Sequence, residues 1–468
     1  MIRALPALIV IAILIAAAIF IADRPGTVEL DWQGWRVDTN VSVLVLGMAL
    51  MGMAAAGLFH LLRRLVTAPG GFLRWRHERR REAGFRALTQ GMVAVAAGDP
   101  EEATRHSRRA DALLADPPLT LLLSAQAAQL KGDHTAAQRY FNAMLERAET
   151  EFLGVRGLLM QALHSGDDAA ALKLTERARE LRPKTPWVLH RLYRLRARAG
   201  QWIEAEATLV EAMGRKAIDA AVGRHHRAVL LHEQSRAAEA AGEPGKAMTL
   251  AEKSVAHDRS FAPAAIRLAQ LQTAQGRPRR AMRTLLATWR EAPKPEVAAA
   301  FTGLFSDDTP VQRLKRVEKL AAANPDHVES HLALAEAALD AKLWGEARRH
   351  LLAAGAGDAN PGPRVCRLMA RLEEEEHGDG AAARLWLGRA AVTAVADPAY
   401  VCGHCGAELQ AWSAHCPHCH EFGSLTWQTP KRTALTAGTS LAAPIATVPP
   451  PTLIDISGNN LPGRLESL

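Results

Sequence analysis

Four of the five cysteines in this 468-residue chain lie close together near its C-terminus. They form two C-x-x-C pairs, Cys402 with Cys405 and Cys416 with Cys419, with ten residues between the pairs. Two such pairs can bring four thiolates into tetrahedral reach of one ion. The surrounding segment, 399–428, is too short to bury a core of its own, so bound metal is expected to supply its folding free energy. The spacing therefore predicts a small zinc-ribbon or rubredoxin-like module.

The ligands alone do not identify the metal, because thiolates bind both zinc and iron. We predict structural Zn²⁺ held by the four cysteines, with iron in a rubredoxin-like site as the alternative. Neighbouring histidines could compete as ligands, although four cysteines suffice for a tetrahedral site. These histidines are His404, His415, His418 and His420. So few cysteines indicate a reducing compartment rather than a disulfide scaffold.

The segment that precedes the ribbon carries a regular repeat. Glycine recurs mostly at intervals of 34 residues, and alanine follows each glycine by five positions. The pairs are Gly98 and Ala103, Gly132 and Ala137, Gly166 and Ala171, Gly200 and Ala205, Gly242 and Ala247, Gly276 and Ala281, and Gly378 and Ala383. Glycine would end the first helix of each unit in the left-handed conformation, and alanine would let the second helix approach closely. This period predicts an all-α tetratricopeptide-repeat solenoid over 82–395, with roughly nine helix pairs.

Two units depart from this pattern. The pair before Pro325 lacks its glycine, and Lys342 stands where the next turn glycine would fall.

Two apolar segments precede the repeats. Ala4–Ala22 and Val41–Leu62 carry no formal charge, and each is near the ~20 residues that cross a bilayer. A cleaved signal peptide is the alternative for the first segment, but its end makes a poor cleavage site. We predict a two-pass membrane anchor of two transmembrane helices at 1–66, with a short hairpin at 23–40.

The flanking charges predict the orientation of this anchor. The loop at 23–40 holds four acidic residues against two arginines, whereas 63–81 is rich in arginine. Positive charge stays on the cytoplasmic side of a bacterial inner membrane, so both termini and the repeats are expected in the cytoplasm and the hairpin at 23–40 in the periplasm. The basic juxtamembrane segment at 67–81 is expected to contact anionic lipid headgroups rather than nucleic acid.

The repeats carry no catalytic constellation, which predicts a protein that is not an enzyme. His225, His226, His257 and the acidic run Glu373–Glu376 lack partners at metal or acid–base spacing, so we interpret them as solvated helix faces. Cys366 stands alone in an apolar stretch and is expected to be a small core residue. Proline, threonine, alanine, serine and glycine prevail over 429–468, which predicts a disordered tail.

The loop sequence TVELDWQGWRVDTN, set between two apolar segments and followed by arginines and repeats, resembles the HemY family of proteobacterial inner-membrane proteins. This resemblance covers about residues 1–395 and implies an association with late haem biosynthesis. The cysteine ribbon resembles the module that ends the LapB lipopolysaccharide-assembly regulators, which have one membrane span.

These features favour a membrane-bound scaffold that holds partner proteins in the groove of its repeats. The HemY resemblance implies late haem-pathway (porphyrin and protohaem) enzymes as those partners. One alternative, implied by the LapB resemblance, is an adaptor that regulates lipopolysaccharide or envelope synthesis. The other is an electron carrier, if the ribbon holds redox-active iron.

Overall fold

The computed structural model describes residues 15–16, 19–20, 26–32, 34–114, 117–305, 307–393 and 395–430. The chain divides into two compact units, Met1–Leu123 and Ser124–Leu468. Most of the first predicted membrane segment, Ala4–Ala22, lies outside the described residues, and so does the predicted disordered tail beyond Pro430.

The first unit contains a two-stranded antiparallel hairpin. Strands β1 (Thr27–Trp32) and β2 (Trp35–Asn40) pair so that Trp32 faces Trp35 across the turn. Gly34 has a φ of +90°, which a residue with a side chain rarely adopts.

One long helix, α1 (Val41–Ala97), follows the hairpin directly. Within it, Val41–Arg63 is long and apolar enough to cross a membrane by length and composition, with a mean hydropathy of 2.2. It is the single such span among the residues the structure describes, so the expectation of two spans is met for one of them. The helix continues without a break through the basic segment at 67–81 and ends at Gly98, whose φ is +74°.

The first repeat pair is made by the end of α1 and by α2 (Pro100–Leu113). Asp99 caps α2 by accepting hydrogen bonds from the backbone N–H groups of Glu101 and Glu102. Ala87, Leu88 and Ala110 are buried where these helices pack. The helix that contains the apolar span therefore also supplies the first helix of the first repeat pair.

Helix pairs continue through the second unit. The first helices of the successive pairs are α3 (Pro117–Leu130), α5 (Glu151–Ser165), α7 (Pro186–Arg198), α9 (Ala220–Ala240), α11 (Ala262–Ala274), α13 (Pro295–Thr302), α15 (Val328–Asp340) and α17 (Pro363–His377). The second helices are α4 (His134–Leu145), α6 (Asp168–Leu181), α8 (Trp202–Gly214), α10 (Pro244–His257), α12 (Pro278–Glu291), α14 (Pro310–Ala321), α16 (Trp344–Leu351) and α18 (Gly380–Val392). The predicted tetratricopeptide-repeat solenoid is confirmed.

The glycine and alanine ladder has the predicted structural role. All seven turn glycines have φ between +64° and +77°, as a left-handed helix end requires. The alanines that follow them are buried, and Ala171 and Ala205 have no exposed surface. Lys342 takes the place of the missing glycine with a φ of +58°, so the backbone geometry is kept at the cost of a conformation that side chains disfavour.

The pair that lacks its glycine has a shortened first helix. Its first helix, α13, has only eight residues, and Thr309 and Gln312 start α14 with a reciprocal capping box. Trp289 is fully buried before it and donates a hydrogen bond to Ser330 at 3.1 Å.

A three-stranded antiparallel sheet follows the last helix pair. Strand β3 (Ala399–Cys402) lies between β4 (Glu408–Leu409) and β5 (Leu425–Gln428). This small sheet carries the four clustered cysteines.

Candidate metal centre

Two tight turns present the four cysteines. After the first C-x-x-C pair, the Gly406 backbone N–H donates to the Cys402 carbonyl at 2.9 Å, and Gly406 has a φ of +74°. After the second pair, the His420 N–H donates to the Cys416 carbonyl at 2.8 Å, and His420 has a φ of +57°. The two turns therefore share one geometry, although the second uses histidine where glycine would be less strained.

The four Sγ atoms lie within 4.8 Å of one another. Cys402 and Cys419 have their sulfurs 3.6 Å apart, and Cys405 and Cys416 have theirs 3.7 Å apart. Four sulfurs bound tetrahedrally to one zinc ion at ~2.3 Å would be separated by about 3.8 Å. The cluster thus has the dimensions of a four-thiolate site and not of disulfides, whose sulfurs lie ~2 Å apart.

The electrostatics of the cluster fit a bound cation. Burial opposes ionisation of Cys402, but hydrogen bonds from Ser424 and from the backbone N–H of Cys405 lower the pKa of its thiol to about 6. Burial and the neighbouring sulfurs of Cys405 and Cys402 raise the pKa of Cys419. Four thiolates at this distance repel one another, and a divalent ion would remove that repulsion and keep all four deprotonated.

The module has only a small core of its own. Tyr400, Cys402, Cys416 and Leu425 are its buried members, and the Trp427 ring meets Tyr400 edge to face at 5.1 Å. So few buried side chains agree with the expectation that metal binding supplies much of the folding free energy.

The ribbon is docked on the first helices of the repeats. Phe422 is 2% exposed and belongs to the hydrophobic cluster of α7 and α9 rather than to the ribbon core. Its ring centroid lies 5.4 Å from that of His226 and 6.4 Å from that of Tyr193. A side chain at Gly423 would come within 2.6 Å of the His226 ring, so the backbones approach closely here.

A second aromatic anchor lies further along the array. Trp412 meets Phe261 edge to face at 4.9 Å and His232 at 5.3 Å. The Tyr400 hydroxyl donates a hydrogen bond to the Glu296 carboxylate at the start of α13. The ribbon thus contacts α7, α9, the start of α11 and α13, which are first helices, and we call the surface that first helices share the first-helix face. At its edge the ribbon also reaches the start of a second helix, because the His415 ring lies 5.9 Å from that of Trp202 in α8.

Charged groups complete this docking surface. Arg194 forms an ion pair with Glu421 of the ribbon, and Arg198 donates a hydrogen bond to the His420 carbonyl at 3.3 Å. Burial keeps the adjacent histidines neutral: it lowers the pKa of His226 to about 3 and of His190 to about 4. The docking surface of the ribbon is therefore aromatic at its centre and basic at its edge.

The structure brings together all four cysteines singled out from the sequence. Cys366 is fully buried, which confirms it as a core residue. The interpretation of His226 as a solvated residue is wrong, because it is 5% exposed beneath Phe422. His225 is half-buried and lies 2.7 Å from the Asp258 carboxylate. Neither the helical period nor the cysteine spacing predicts the docking, because its contacts join residues between 104 and 227 positions apart.

The fold and the cysteine cluster define a tetratricopeptide-repeat protein that carries a rubredoxin-like metal-binding module. Residues 238–302 match the tetratricopeptide repeat family, and residues 400–426 match the rubredoxin metal binding domain of the LapB zinc ribbon. Residues 26–132 match the family described as HemY protein N-terminus. The resemblance of the chain to HemY, and of its ribbon to that of LapB, is confirmed.

Two curated relatives extend this likeness. The "Probable magnetosome protein Mms48" of Magnetospirillum gryphiswaldense is 29% identical over 428 residues, which cover 91% of this chain and 93% of that protein. "Protein HemY" of Escherichia coli (strain K12) is 24% identical over 202 residues, which cover 42% of this chain and 51% of that protein.

Among solved structures, a tetratricopeptide repeat protein from Parabacteroides merdae aligns with 12% identity and a TM-score of 0.27. That alignment covers 52% of this chain and 93% of the other.

Proposed function

We propose that this chain is a non-enzymatic scaffold of the bacterial inner membrane, which holds partner proteins on its first-helix face. One observation carries the proposal: a folded protein module, the ribbon, already sits on that face through aromatic, ionic and hydrogen-bonded contacts. A surface that holds one protein module in this way is chemically suited to hold others.

The helix α1 supports the membrane part of this proposal, because it joins an apolar span to the first repeat without a break. With a second span at Ala4–Ala22, both termini and the repeats would lie in the cytoplasm, as the flanking arginines favour. A cytoplasmic, reducing location would keep the four thiols available for metal.

The likeness to HemY favours late haem-pathway enzymes as the partners that the scaffold gathers. The LapB-type ribbon favours a second candidate function, an adaptor that regulates lipopolysaccharide or envelope synthesis. The likeness to a probable magnetosome protein is compatible with either kind of scaffold.

We further propose that the ribbon holds structural Zn²⁺ through Cys402, Cys405, Cys416 and Cys419. Its place against the repeats suits a structural role, because loss of the ion would disorder a docked module. Iron in the same four-sulfur site would make the ribbon an electron carrier instead. Elemental analysis of protein purified from its native host, together with its visible absorption spectrum, distinguishes the two metals.

Affinity capture from solubilised membranes tests the scaffold. Ala171 is fully buried where α6 packs, so Ala171→Trp must push the stack apart, at a cost of roughly 1–3 kcal/mol. Each repeat contacts only its neighbours, so membrane insertion and metal content should stay intact while partner capture falls. Haem-pathway enzymes among the captured proteins support the first candidate, and envelope-synthesis enzymes support the second. Turnover of a porphyrin precursor by the purified protein alone, unaffected by Ala171→Trp, would contradict a scaffold.

A further inference from the structure

A strip of basic side chains lies on the first-helix face beside the ribbon. His190, Arg194 and Arg198 follow one another at four-residue spacing on α7, so they share one side of that helix. Arg191 lies next to them, and Arg156 lies on the preceding first helix, α5, with its guanidinium 5.6 Å from the Trp187 ring centroid. We call Arg156, Arg191, Arg194 and Arg198 the basic strip.

Two members of the strip lack a carboxylate partner. Arg156 and Arg191 are half-buried, yet neither forms an ion pair with any residue that the structure describes. Other half-buried arginines of the repeats are paired, as these examples show: Arg196 with Glu176, Arg227 with Glu206, Arg267 with Glu239, Arg348 with Glu373, and Arg364 with Glu329. The pKa of Arg191 is lowered, first by burial and then by the nearby charge of Arg194, and the charge of Glu421 opposes this shift only in part. A half-buried cation next to a like charge is poorly compensated, and an anion would stabilise it.

The ribbon shows which chemistry the strip accepts. Its Glu421 carboxylate pairs with Arg194, and its His420 backbone carbonyl accepts from Arg198. An acidic side chain and a peptide carbonyl thus already satisfy one end of the strip. The other end is open and has an apolar neighbour, Met160, which is 53% exposed one turn beyond Arg156 on α5.

We propose that the open end of the basic strip binds an extended acidic segment of a partner protein. Carboxylates of that segment pair with Arg191 and Arg156, and an apolar side chain between them packs against Met160. The arrangement repeats the one that Glu421 makes with Arg194. This proposal rests on the scaffold function proposed above and narrows it to partners with an acidic, partly apolar segment.

Peptide binding to the full-length, metal-loaded protein in detergent tests the proposal. The probe is a short fluorescent peptide of alternating glutamate and leucine, and a lysine–leucine peptide is the charge-reversed comparison. Arg156→Gln with Arg191→Gln should weaken binding of the acidic peptide by about tenfold for each arginine, since a hydrogen bond to a charged group contributes ~1.5 kcal/mol or more. Rising salt should also weaken binding of the acidic peptide to the unmodified protein.

A matched control variant loses the same two positive charges at another site of the repeats. Arg279 and Arg283 are exposed on the second helix α12, and Arg279→Gln with Arg283→Gln should leave peptide affinity unchanged. Arg156→Gln alone provides a milder variant, and thermal melts should show that all variants fold.

Equal losses of peptide affinity in the strip and control variants would overturn the proposal, and so would unchanged peptide affinity in the strip variant. A strip variant that loses binding to phosphatidylglycerol vesicles but keeps binding to the peptide would overturn it as well. Failure of this proposal can be distinguished from failure of the scaffold function. If the strip variant still captures the same membrane partners while Ala171→Trp does not, the scaffold function is supported and the proposed acidic segment is wrong.

Discussion

Removal of the Phe422 ring should undock the ribbon without releasing its metal. The ring is 2% exposed and packs on the solenoid cluster, not on the ribbon core of Tyr400 and Leu425. A buried phenylalanine replaced by alanine costs about 3 kcal/mol or more. Most of that loss falls on the docked state, so Phe422→Ala should lower the ratio of docked to undocked ribbon by a factor of roughly 100. Hydrogen exchange should then accelerate along α9, whose His226 loses its cover.

A second buried phenylalanine serves as the control. Phe152 is 9% exposed and packs with Val155, Ala178 and Val188, in a cluster that contains no residue of the ribbon. Phe152→Ala should lower the melting temperature of the repeats but leave the exchange of α9 at native conditions unchanged. The reasoning would be refuted if Phe422→Ala left α9 as protected as before, or if it released the metal.

Three further predictions concern metal, pH and topology. Cys402→Ser with Cys419→Ser should release the ion and unfold the ribbon while the repeats keep their helicity, because structural zinc is worth roughly 10–16 kcal/mol; unchanged metal content would exclude these ligands. The folded-state pKa of His226, about 3 through burial, lies below its unfolded value, so stability is fully present above about pH 6.5 and falls by on the order of 1 kcal/mol per pH unit as the pH drops below it. Denaturation curves at several pH values should show this dependence, and His226→Phe should make it shallower by the share of one histidine, because His190, His232 and His415 also have lowered pKa values. An alkaline phosphatase fusion within the loop 23–40 should be active and one after the ribbon silent; activity at the second position would reverse the proposed orientation.

The repeats could be predicted from the sequence because their signals are local. A glycine with positive φ and a buried alanine five positions later each satisfy a requirement within one helix pair. The exception at Lys342 could also be predicted, because the neighbouring residues impose the turn geometry and the lysine backbone adopts it. The cysteine cluster is equally local, because two short turns hold its four sulfurs.

The docking of the ribbon on the repeats could not be predicted in the same way. Arg194 and Glu421 are 227 residues apart, and neither helical period nor cysteine spacing relates them. His226 looked like a surface residue because polar side chains in repeats are mostly solvated, yet Phe422 buries it from another module. Phe422 and Trp412 gave a weak signal, because so small a module has no room to bury two more aromatic rings in its own core.

Site-specific photocrosslinking in cells tests the central claim, that the first-helix face holds partner proteins. A photoreactive amino acid at Met160, which is 53% exposed on the first helix α5, should form adducts with another protein. The same photoreactive amino acid at Val210, which is 41% exposed on the second helix α8, should form no adducts with another protein. Protein adducts from Val210 but not from Met160, or none from Met160 while the protein is present and folded, would contradict the claim.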